Sequence, residues 1–170
     1  MRKLFSIILT VVLLLCLTAC SSLTNTVQDP VNFYYRYASM NYGANPDVIG
    51  AEVYEANGHR LDFEYLLSAY FMGPESYDFY TPFPENTALK SFDLHDGTAF
   101  VQLSSPFSAL SGLNLTLACA CITMTVCEMT GAQQVTISVA DSLLDGKPQI
   151  TLTPEDFLLL DNSNIVIDPE

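Results

Sequence analysis

The segment Ser111 to Thr130, SGLNLTLACACITMTVCEMT, decides the architecture, because it can be read in two ways. At helical spacing, Leu113, Leu117, Ala120, Met124 and Cys127 form one apolar stripe. Leu115, Ala118, Ile122, Val126 and Met129 form another on the opposite side. The same residues also alternate apolar and polar, as in a half-buried strand. Length separates the two readings: strands usually run about 3–10 residues, and this segment is longer. It therefore reads as a helix. A helix apolar on two sides needs more than one sheet to bury it, so a neighbouring helix or a partner molecule is expected on its second side.

On the C-terminal side, Val135, Ile137 and Val139 alternate with Thr136, Ser138 and Ala140, a strand. Asp145-Gly146 turns the chain toward a strand at Gln149-Ile150-Thr151-Leu152. Pro154 ends that run before an apolar segment, Phe157-Leu158-Leu159-Leu160. On the N-terminal side, Ala88–Leu94 and Ala99–Leu103 flank His95-Asp96-Gly97-Thr98, a hairpin signature. Phe63, Leu66, Leu67, Tyr70 and Phe71 make a second helical stripe, with Asp62 placed as its N-cap and Gly73-Pro74 as its stop. Glu75 to Pro84 reads as an aromatic loop. Val48–Tyr54 and Val31–Tyr37 read as strands joined by a loop over Met40–Pro46, and Val31, Phe33, Tyr35 and Tyr37 share one face. The order ββ-α-ββ-α-ββ predicts an α+β fold, a mixed and largely antiparallel sheet with two helices, in one domain over residues 31–153. Residues 154–170 follow as a C-terminal extension.

The first twenty residues place this domain. Arg2 and Lys3 precede an apolar run from Leu4 to Leu17, which is short for a spanning helix of about 20 residues. Such a segment is a secretory signal, residues 1–19. Its Leu17-Thr18-Ala19-Cys20 ending resembles a bacterial lipoprotein signal, in which Cys20 is acylated with fatty chains such as palmitate and becomes the first mature residue. Residues 20–30 then form a lipidated tether. Localisation is expected at the cell membrane, lipid-anchored, on the extracytoplasmic side.

The formal net charge of −13 becomes −15 when Arg2 and Lys3 leave with the signal. So acidic a chain lacks the clustered cations that nucleic acid requires, and it gains no electrostatic hold on anionic lipid. After the signal and Cys20, the cysteines left are Cys119, Cys121 and Cys127. On a helix, Cys119 and Cys127 lie about 12 Å apart and Cys119 and Cys121 point to nearly opposite sides. Neither pair meets disulfide geometry, so three reduced, mostly buried thiols are expected.

Candidate chemistry is sparse. His95 stands beside Asp93 and Asp96, a weak metal candidate better read as a solvent-facing turn, and His59 follows Asn57-Gly58 in another turn. The Cys-x-Cys pair lacks zinc-knuckle spacing and a partner base for nucleophilic work. No catalytic, cofactor-binding or metal residue is assigned, and the assigned site is Cys20, as lipid attachment. The aromatic loop with Tyr70, Phe71, Tyr77, Phe79, Tyr80 and Phe83 is a surface candidate for a protein or glycan partner. The competing and favoured expectation is that Phe71 and Phe83 close the core while the tyrosines shield its edge.

Five motifs in order resemble the GerM domain of sporulation and spore germination. Leu66-Leu67-Ser68-Ala69-Tyr70-Phe71-Met72-Gly73-Pro74 is similar to its first-helix signature. Thr81-Pro82-Phe83-Pro84-Glu85-Asn86-Thr87 is similar to its proline turn, and Asp96-Gly97-Thr98-Ala99-Phe100-Val101-Gln102-Leu103-Ser104 to its hairpin. The second helix with Val135–Val139, then Leu144-Asp145-Gly146-Lys147-Pro148, complete the pattern over roughly residues 31 to 152. The resemblance implies a single GerM-like domain, akin to ring-building modules, in a non-enzymatic envelope lipoprotein that serves as an interaction or scaffold module in sporulation or germination. The founding member carries two copies in tandem, whereas this chain carries one. Implied partners are the membrane, through acylated Cys20, and proteins of the envelope or weak self-association. The domain is expected to be monomeric unless tethering raises its local concentration. The alternative is an envelope hydrolase or ligand-binding lipoprotein acting on cell-wall material, which requires a cleft with convergent polar groups, for instance one lined by Asp93, His95 and Asp96.

Overall fold

A computed structural model describes residues 29–38 and 48–157. The signal, Cys20, the tether up to residue 28, the Met40–Pro46 loop and the Leu158–Leu160 run lie outside the described residues. The elements follow the order β1 (Pro30–Tyr37), β2 (Ile49–Glu55), α1 (Phe63–Phe71), β3 (Phe79–Tyr80), β4 (Leu89–His95), β5 (Thr98–Leu103), α2 (Gly112–Thr130), β6 (Gln134–Val139) and β7 (Gln149–Leu152). Short 3-10 turns at Ser105–Ala109 and Pro154–Asp156 complete it.

The fold is α+β with two helices, as the pattern predicts, but its strands divide between two sheets. One has the order β2-β1-β3 and the other β4-β5-β6-β7. Every pairing is antiparallel except β5 with β6, whose parallel register is the consequence of the α2 crossover between them. The division has a local cause at Tyr34. Its N–H donates to Thr125 Oγ1 of α2 (2.9 Å), and its carbonyl accepts from the Tyr70 hydroxyl of α1 (2.9 Å). Helix hydroxyls thus satisfy the backbone of β1 where another strand would otherwise pair, because buried main-chain groups must find partners.

The local elements form for reasons legible in the chain. Asp62 caps α1, its carboxylate accepting from the Tyr65 N–H (3.0 Å). The hairpin between β4 and β5 turns on Asp96 (φ 50°) and Gly97 (φ 71°), the positive-φ pair that a tight two-residue turn demands. Gly131, in the left-handed region, stops α2 and returns its N–H to the Cys127 carbonyl (2.8 Å).

Helix α2 lies between the sheets, and this answers the question its two stripes pose. Leu115, Ala118, Ile122, Val126 and Met129 are buried in the main core with Val101, Leu103, Val135 and Ile137 of the four-stranded sheet. On the other side, Ala120 and Cys121 pack with Ile49, and Tyr34, Leu117, Met124 and Phe157 close around them. Within the chain it is the three-stranded sheet and Phe157, rather than the first helix, that pack on the second stripe. Only at the helix start does an apolar residue of that stripe stand free, Leu113 at 73% exposure. Within one molecule the stripe is thus largely covered, with Leu117, Met124 and Cys127 half-buried.

The first sheet also sets a direction. Pro30 pairs with Glu55 at the N-terminal end of β1, the end expected to receive the tether, and Arg36 with Ile49 and Tyr37 with Phe79 at the other. Helix α1 begins after β2 has returned to the tether end and carries the chain toward β3 at the far end.

Candidate functional site

The middle of β1, which leads to the far end of the first sheet, packs on Tyr70. This residue of α1 is fully buried, and its ring lies within 5.1–5.2 Å (centroid to centroid) of Phe33, Tyr35, Phe71 and Phe83. The Tyr35 hydroxyl donates to the Tyr70 carbonyl (2.8 Å), which locks strand to helix. Phe83 contacts Phe71 and Phe107, and Phe79 stacks on Tyr37 at 5.1 Å. Of the six aromatics singled out in the sequence, Phe71 and Phe83 thus close the core, as favoured there; Tyr70, expected at the edge with the other tyrosines, lies instead at its centre, and Phe79 packs partly buried against it.

Tyr77 and Tyr80 do otherwise. They face outward: Tyr77 is 99% and Tyr80 64% exposed, and Met72, at the C-cap of α1, is 90% exposed. The segment Phe79–Tyr80, read as loop in the sequence, is a two-residue strand on β1, so successive side chains point to opposite faces and Tyr80 turns outward as Phe79 turns in. The backbone beneath is fixed. The Glu52 carboxylate accepts from the Glu75 and Ser76 N–H groups (3.2 and 2.6 Å), and the Ala38 N–H donates to the Asp78 carbonyl (2.8 Å). A shallow cleft of about 330 Å³ lies beside Met72, walled by Phe71, Thr81, Phe83, Pro84 and Glu85. Exposed apolar side chains on a braced backbone, edged by carboxylates, suit contact with another macromolecule. The missed signal was positional: Met72 falls off the helical stripe and Tyr77 sits between Ser76 and Asp78.

The hairpin tip has no such organisation. Asp93, His95 and Asp96 are all exposed; His95 Nδ1 lies 3.5 Å from Asp93 Oδ2, and its ring stacks on Phe100 at 4.5 Å. This is a solvated turn rather than a set of polar groups converging on a buried centre. Among the described residues, no group of three or more His, Cys, Asp or Glu is placed to hold a metal ion.

The three thiols are free. Cys119 and Cys121 are buried and Cys127 is partly exposed. Burial pushes both Cys119 and Cys121 up to about 12 and raises Cys127 as well. A pKa near 12 leaves a thiolate fraction on the order of 10⁻⁴ at pH 8, against roughly a quarter for an unperturbed thiol. Native protein treated with a maleimide at pH 8 should therefore leave Cys119 and Cys121 unmodified, and urea should open both to labelling. Rapid native modification of either, read by mass spectrometry, would contradict this.

Residues 34–149 match the family described as Germane, sporulation and spore germination. Among solved structures, the fold is similar to the first GerMN domain of the sporulation protein GerM from Bacillus subtilis. That match has 17% identity and a TM-score of 0.51, over 75% of this chain and 98% of that one. It is also similar to the tandem GerMN domains of the same protein, at 17% identity and a TM-score of 0.52; this chain spans 47% of that longer one. No curated protein sequence matches.

Proposed function

This chain belongs to the Germane family, and we propose that it is a membrane-anchored envelope lipoprotein whose domain acts without catalysis, as an interaction or scaffold module in sporulation or spore germination. The family match over residues 34–149 relates the domain to sporulation and germination. The anchoring half of the reading is supported by Leu17-Thr18-Ala19-Cys20, where the acylated thiol would sit.

One observation carries the interaction half: the tether and the exposed rim lie at opposite ends of β1. This strand has eight residues, about 26 Å at 3.3 Å per residue. Held by Cys20, the domain presents Met72, Tyr77 and Tyr80 away from the bilayer, where an envelope protein or a second tethered copy meets them. Membrane confinement raises local concentration, so a weak contact suffices.

The test replaces Tyr77 with a photo-crosslinking amino acid in the native membrane. The expected result is a discrete protein adduct that disappears when Met72 and Tyr80 are both changed to Ser. A comparable adduct from a crosslinker at exposed Leu143, or none at Tyr77 at any growth stage, would overturn the reading.

A further inference from the structure

The tether end carries its own exposed apolar residue, which neither the core nor the rim uses. The Asp29 carbonyl accepts from the Ala56 N–H (3.3 Å), so the point where the tether enters is joined to the start of the segment after β2. From fully buried Ala56 the chain makes two successive turns, His59 N–H to Ala56 carbonyl (2.8 Å) and Asp62 N–H to His59 carbonyl (2.9 Å), before entering α1. Leu61 projects from the second turn at 85% exposure. Tyr65, 42% exposed and four residues on, has its ring stacked on His59 at 4.3 Å. A leucine turned into water from a segment braced at both ends is not the by-product of a loose loop.

Nine peptide units separate Cys20 from Asp29, a reach of at most about 32 Å at 3.6 Å each. Acyl chains on Cys20 therefore hold this end within about 32 Å of the bilayer, nearer on average than the rim at the far end of β1. We propose that the turn pair over residues 57–61 is a foot that rests on the lipid surface. Leu61 enters the boundary between headgroups and acyl chains, and the stacked His59 and Tyr65 rings lie at headgroup depth, where amphipathic aromatics settle. The inference rests on the anchoring reading above. One leucine is too small an apolar payload to bring a free domain to a membrane, but the tether makes the contact intramolecular. Around it Asp29, Glu55, Asp62 and Glu64 outnumber Arg60, so the contact is apolar, and anionic lipid weakens it.

The chain contains no Trp, so Leu61→Trp creates a single emission probe at a site already open to solvent. The acylated full-length protein is placed in phosphatidylcholine vesicles with brominated acyl chains and recovered by flotation. The expected result is blue-shifted emission from Leu61→Trp, quenched at least two-fold by the brominated lipid and less so when half the lipid is phosphatidylglycerol. Met72→Trp, at the far end, should emit as in water and escape quenching. Flotation with unquenched emission from Leu61→Trp overturns the foot while leaving the anchor intact. A blue shift without quenching assigns Leu61 to a protein contact instead, and also overturns it. Failure to float brings down the anchoring reading, and the foot with it.

Discussion

Replacing Cys20 with Ala should abolish fatty-acid labelling of the protein completely. On the proposed anchoring the Cys20 thiol is the acceptor, and no other residue of the Leu-Thr-Ala-Cys ending carries a thiol to take its place. Each methylene buried in the bilayer contributes about 0.8 kcal/mol, so two acyl chains hold a protein firmly where one gives only marginal binding. Charge does not substitute for them: on the same reading, the −15 left without residues 1–19 is repelled by anionic lipid. The single exposed leucine of the turn pair is far weaker than an acyl chain. Metabolic labelling with an alkyne fatty acid reads the result directly, and it is independent of whether an uncleaved signal keeps the variant in the membrane fraction. Label persisting on Cys20→Ala, or wild-type protein wholly in the soluble fraction, would refute the assignment.

The largest effect on the domain itself is expected at Tyr70. Its side chain is fully buried, touches four aromatic rings and donates to the Tyr34 carbonyl on the strand that joins the first sheet to both helices. Truncation to Ala removes an aromatic payload and leaves a cavity that rigid neighbours cannot fill, which costs about 3–5 kcal/mol. It also strips the Tyr34 carbonyl of its partner. Domains of this size are stable by only about 5–15 kcal/mol, so Tyr70→Ala should leave residues 21–170 close to unfolding at 37 °C. Tyr70→Phe keeps the rings and loses only the hydrogen bond, for about 1–2 kcal/mol. Urea unfolding followed by circular dichroism separates the two. Equal stability of the Ala and Phe variants would show that the ring cluster is not what holds this part of the domain together.

Much of the fold was legible along the chain because its signals are local. Asp62 and Gly73-Pro74 bracket α1 by capping and by breaking the backbone, Asp96-Gly97 turns the hairpin because both residues adopt positive φ, and length alone makes Ser111 to Thr130 a helix. Each of these depends on residues within a few positions of one another. The five GerM-like motifs likewise point to the family that the match over residues 34–149 establishes.

Three features were decided only in three dimensions. The strands part into two sheets because the Thr125 and Tyr70 hydroxyls, 91 and 36 residues from Tyr34, occupy its hydrogen-bonding groups. The second stripe of α2 is covered by the three-stranded sheet and Phe157, whereas periodicity says only that a stripe needs cover. Tyr77 and Tyr80 face solvent while Phe79 packs inward, because β3 is two residues long and owes its existence to the edge of β1. Periodicity, turns and caps are properties of neighbouring residues and survive being read in a line. Which surface covers which stripe is set by contacts between distant segments, and those exist only once the chain has closed on itself.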